Sequence, residues 1–199
     1  LFRLRGSWLE AYGNMLTTSA LGTPGASNSR ALANDGPAIF EVTHRPVLPA
    51  DGQAVTVFAR MSDPDGLAGA AVRYRLDPSS RINTVSMVPH GAGWFSARIP
   101  AQAAGTLAAF HVVAQDALGA TAAFPNDAPI RECLVRWGES PVSGSLGVYR
   151  FWMTRATQNQ WEQPEKHTNE PLDITFAYRE DRVVYNAGDE YSGSPFHTC

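Results

Sequence analysis

A train of short segments in which apolar and polar residues alternate, each cut off by a turn signal, most constrains the fold. The clearest is AVTVFARM at residues 54–61, with Val55, Val57 and Ala59 on one side and Thr56, Phe58 and Arg60 on the other. A period of two marks a strand with one buried face. Residues 71–76 repeat it, with Val72, Tyr74 and Leu76 opposing Arg73 and Arg75. Residues 38–44 (with Ile39 and Val42), 84–88, 93–99, 108–116, 120–124 and 131–137 complete the set. PADG at 49–52, DPDG at 63–66, HGAG at 90–93 and ALGA at 117–120 read as the turns between them. Roughly seven short strands at this spacing predict an immunoglobulin-like β-sandwich over residues 37–137. The Cys–Trp–Cys pattern of antibody domains is missing, which favours the fibronectin-III-like variety.

The flanks have a different texture. Residues 1–36 begin with LFRLRGSWLEAYG, which fits no helix or strand period, and continue into small Gly, Pro, Ser and Asn residues that read as a connector. In residues 146–199, GVYRFWM reads as a strand and TRATQNQWEQ as a short helix, with Thr154 as N-cap and Pro164 as its stop. Strands at 172–179 and 182–188 follow, joined by a two-residue loop, Glu180-Asp181. So small a strand–helix–hairpin is a poor independent core. It reads as the opening of an α+β domain that continues further.

Charge narrows the function classes. The net charge is −3, which argues against binding nucleic acid by neutralising phosphates. Residues 1–145 balance, so the excess lies wholly in residues 146–199. The best uncharged apolar run, residues 99–115, holds Pro100, Gln102 and His111, and no membrane span is expected. Fifteen of the sixteen basic residues are Arg, and Lys166 is the only Lys. Lysine-dependent chemistry elsewhere in the chain, a phosphate-binding P-loop included, is excluded. The chain opens at Leu1 with neither Met nor a signal peptide, as expected of a piece of something longer.

Few residues recommend themselves for chemistry. Asp63-Pro64-Asp65-Gly66 resembles half a calcium loop, but calcium takes six or more oxygens and no acid follows until Asp77. A tight turn accounts for these residues and for Asp116, so no metal ligand is assigned. The five His residues show no HxH or HExxH spacing, and His111 reads as structural. Gly144-Ser145-Leu146-Gly147 lacks the spacing of a nucleophile elbow, and no catalytic residue is assigned. Trp137, Trp152 and Trp161, with Tyr149 and Phe151, would suit a sugar-stacking platform. The strand and helix positions of Phe151, Trp152 and Trp161 read instead as core. Ser192-Gly193-Ser194 offers small residues and N–H groups that suit a phosphate, or a plain turn. Cys133 and Cys199 form no CxxC, and a bridge between them stays open.

Three phrases carry a resemblance: VYRFWMTRATQNQW at 148–161, NEPLDITFAY at 169–178 and RVVYNAGDEYSGSPFH at 182–197. Together they resemble the opening of the spore-coat-H (CotH) kinase-like domain of large bacterial surface proteins. Residues 22–29, GTPGASNS, resemble the end of a lamin-tail-like domain that often precedes such modules. The resemblance implies an atypical kinase fold that binds ATP with Mg or Mn and phosphorylates protein. The phosphate clamp and metal-holding acids that phosphoryl transfer needs lie, in that family, after the segment matched here. No catalytic residue is therefore carried over, and the chain itself is expected to hold no cofactor.

The expected fold class is mainly β: an immunoglobulin or fibronectin-III-like sandwich, then the incomplete start of an α+β kinase-like domain. The expected function is that of a fragment, inactive by itself, of a secreted or surface bacterial multidomain protein. Its partner would be a protein substrate or surface partner, not nucleic acid. The alternative is a non-enzymatic adhesion or carbohydrate-binding module.

Overall fold

The computed structural model describes residues 34–140, 147–163 and 171–189. The chain divides into two units, Leu1–Asp35 and Gly36–Cys199, and the fold below is that of the second. The connector predicted at 1–36 lies, but for its last three residues, outside the described residues.

Nine strands build a sandwich: β1 (Ala38–Arg45), β2 (Val55–Ser62), β3 (Leu67–Leu76), β4 (Asn83–Ser86), β5 (Val88–Gly91), β6 (Trp94–Ile99), β7 (Leu107–Asp116), β8 (Thr121–Phe124) and β9 (Cys133–Arg136). One sheet runs β1-β2-β6-β5 and the other β4-β3-β7-β8, with β9 also pairing β7. All pairs are antiparallel. The order matches the A-B-E-D and C-F-G sheets of immunoglobulin-like folds, with one extra strand beside C. The expected mainly β fold is therefore present. Val55, Val57, Ala59 and Met61 of β2 face Val72 and Tyr74 of β3 and Phe110 and Val112 of β7 across one core, closed by Trp137. The alternation read in β2 holds through the whole strand, every second residue being buried.

Two strands depart from a simple alternation. In β1 the register slips between Phe40 and Thr43, and Glu41 takes a φ of 52°. This bulge reconciles Ile39 and Val42, which a strict period of two sets on opposite faces: both pack against the core. Residues 84–88, read as one strand, are two. The chain leaves β4 at Ser86, buries Met87, and starts β5 in the opposite sheet at Val88. HGAG is likewise part strand, since β5 runs to Gly91 before the turn.

A third sheet, β10-β11-β12, follows: β10 (Tyr149–Trp152), β11 (Leu172–Tyr178) and β12 (Arg182–Asp189). Between β10 and β11 lies α1 (Arg155–Trp161). The Thr154 hydroxyl accepts from the Thr157 N–H, as expected of an N-cap. Tyr178 pairs with Arg182, so the β11–β12 loop has three residues rather than two, with Arg179 at φ 52°. This sheet covers the side of β7 turned away from the main core. Leu107, Ala109 and Leu134 of the sandwich pack with Val47, Trp152 and Ala177 in a second buried cluster. Covered on both faces, β7 is buried almost throughout and carries a nearly continuous apolar run.

Gly36 needs to be glycine because a Cβ there would lie 2.5 Å from the Thr121 carbonyl. No helix among the described residues is long and apolar enough to cross a membrane.

Candidate functional site

The third sheet is pinned to the sandwich by polar contacts as well as burial. His44 at the end of β1 and Tyr185 of β12 are both buried and hydrogen-bonded to each other. The Leu134 N–H donates to the Thr175 hydroxyl at 3.0 Å. Arg45 donates to the Asp181 carbonyl at 2.7 Å, and the Arg155 N–H donates to the Asp77 carboxylate at 2.7 Å. Glu139 receives Arg150 at 2.6 Å and the Trp152 indole at 3.1 Å.

The other face of the sheet is open and aromatic. Tyr149 is 60% exposed and Phe151 55%. Tyr149 lies against Phe176 and Tyr178, with ring centroids 5.6 and 5.0 Å apart, and Phe151 lies 5.5 Å from Phe176. Arg179 sits 5.3 Å above the Tyr178 ring and Val184 extends the patch. The reading of Phe151 as core is thus corrected. Alternation along β10 sends Trp152 inward and turns Phe151 to solvent. Trp161 is half-buried, on a helix that buries no residue fully. Trp152 is core as expected, and Trp137 is fully buried as well.

Ser192, Gly193 and Ser194, the candidates for phosphate binding, lie outside the described residues, as do Lys166, Cys199 and the 144–146 part of the rejected elbow. Arg150 is paired with Glu139, Arg155 of α1 meets Gln158, Arg179 lies over the Tyr178 ring, and Arg182 of β12 is exposed with no ion pair among the described residues.

Three carboxylates meet that sequence spacing kept apart. Asp63, Asp65 and Asp116 bring oxygens within 4.8 Å of one another. The register sets Leu67 opposite Asp116, so the DPDG turn and the end of β7 share one tip of the sandwich. The Asp63 carboxylate accepts the Asp65 N–H, and Asp116 accepts the N–H groups of Leu118 and Ala120. These bonds are turn-forming, and no metal is assigned here. Counting acids along the chain misses such a cluster because Asp116 arrives through strand pairing.

Among the buried titratable groups, burial lowers His44 to about 4 and also pushes His111 down. It raises the Cys133 thiol and the Tyr185 phenol. An unactivated thiol inside a core is an inert one. No protein-family model matches the chain, and no curated protein matches it.

Proposed function

We propose that this chain belongs to a secreted or cell-surface bacterial multidomain protein, in which the sandwich braces the first strands of a CotH-type kinase-like domain. One observation carries the reading. The β10-β11-β12 sheet is fastened to the sandwich through Trp152, Thr175, Ala177 and Tyr185, while its outer face keeps Tyr149, Phe151 and Val184 in solvent. A sheet with two apolar faces belongs in a layered domain with cover on both. The sandwich supplies one layer, and further protein would supply the other. On this reading ATP and Mg or Mn bind the longer protein, and this chain performs no phosphoryl transfer.

Thermal unfolding of the chain with ATP and magnesium or manganese tests it. The melting temperature is expected to stay unchanged. A nucleotide-dependent rise would mean that a site is already complete here, against the reading of a brace.

The same open face favours a second reading, a carbohydrate-binding module. Tyr149, Phe151, Phe176 and Tyr178 offer ring surface for the apolar faces of sugar rings, with Arg179 beside them for hydroxyls. Glycan-array binding that is lost in Tyr149→Ala would favour it over the first.

A further inference from the structure

We propose that the fork where β7 changes partner is a binding site for a small organic carboxylate, held by Arg73 and His111. β7 pairs with β9 up to Phe110 and with β8 from Val112 onward. His111 stands at the changeover. The intervening chain turns away through bonds from Ala128 to the Pro125 carbonyl and from Ile130 to the Asp127 carbonyl. An Asp127–Arg131 ion pair at 3.2 Å holds it there. A cavity of about 530 Å³ lies at this fork, with Ile82, Val113 and Pro129 as apolar walls and Arg73, Thr84 and His111 as polar ones.

Among the described residues, two groups here are left without protein partners. Arg73 lies between Thr84 and His111 in the register. Arg75, two residues on, is paired with Glu132 at 2.6 Å and Asp77 at 3.0 Å. Arg73 makes no such pair among the described residues. His111 is 5% exposed, and its Nδ1 finds no hydrogen-bond partner. Buried polar atoms without partners are rare because each forfeits its hydration. Arg73 is exposed and hydrated, so the buried Nδ1 alone lacks a partner of any kind, and a carboxylate can engage both groups. One oxygen takes the Arg73 guanidinium, whose planar fork matches it. The other accepts from the His111 ring when Nδ1 carries the proton. An apolar body then lies against Ile82, Val113 and Pro129. A neighbouring hollow of about 600 Å³ along Gly69, Ala71 and Asn126 gives room for a longer ligand.

The test is an amide-resolved NMR titration of the chain with sodium benzoate, with benzyl alcohol as the uncharged counterpart at matched ionic strength. Benzoate should give saturable shifts centred on Arg73, Thr84, His111 and Ala123, and benzyl alcohol none. Arg73→Gln, an exposed change that leaves the fold intact, should weaken benzoate at least about tenfold. His111→Phe fills the same space without a ring nitrogen and should also weaken it. No saturable shift, an equal response to benzyl alcohol, or unchanged affinity in Arg73→Gln overturns the proposal.

Discussion

His44 accepts a hydrogen bond at Nδ1 from the Tyr185 hydroxyl, across 141 residues of sequence. The assignment follows from its other nitrogen. Nε2 lies 3.1 Å from the Val47 carbonyl, which only accepts, so Nε2 carries the proton and Nδ1 is the acceptor. Phe110, Trp152 and Tyr185 ring the imidazole, with centroids 6.3, 6.2 and 5.8 Å away. The sandwich and the third sheet meet at this pair.

Tyr185→Phe keeps the ring and removes the donor, leaving a buried nitrogen unsatisfied. The loss should be about 1–3 kcal/mol in urea unfolding. A change below ~0.5 kcal/mol would mean that the contact contributes little.

Acid should weaken the fold through the same residue. His44 titrates at about 4 when folded and near its ordinary 6.5 when unfolded, because burial penalises its charge. Between those values the unfolded chain binds more protons, so stability rises with pH. This contribution is complete above pH 6.5, declines as the pH drops, and is exhausted below about 4. It should be on the order of 3 kcal/mol, with His111 adding in the same direction. Urea titrations at several pH values should give this slope, and His44→Gln should flatten it.

Two adjacent residues should respond in opposite ways. Trp152 is 3% exposed against the sandwich, and Trp152→Ala should cost about 3–5 kcal/mol. Phe151 is 55% exposed, and Phe151→Ser should cost less than about 1 kcal/mol. Equal losses in chemical denaturation would contradict the assignment of faces.

Glu132 and Glu41 provide a similar contrast among ion pairs. The Glu132 side chain is 8% exposed and holds Arg75, whereas Glu41 meets Arg60 with about half its surface in water. Glu132→Ala should cost about 3 kcal/mol by leaving a half-buried guanidinium short of charge. Glu41→Gln should change stability by less than about 0.5 kcal/mol. Denaturation midpoints of the two variants check both.

The sandwich was legible because its strands bury one face each. Val55, Val57 and Ala59 state their side without help from the rest of the chain. Met87 was illegible because alternation continues through a strand that changes sheets, and only the pairing of β4 and β5 with different partners reveals the break. Phe151 misled because composition marks an aromatic as core, while the pleat alone decides which neighbour points inward. The meeting of Asp63 and Asp65 with Asp116, and of Arg73 with His111, depends on cross-strand register, which single-strand patterns do not encode.

Native-state hydrogen exchange tests most directly whether the sandwich and the third sheet form one cooperative body. Amides of Thr175 and Ala177 in β11 should exchange with the same opening free energy as Phe110 and Val112 in β7. Exchange of β11 at a much lower free energy, with β7 still fully protected, would contradict the brace.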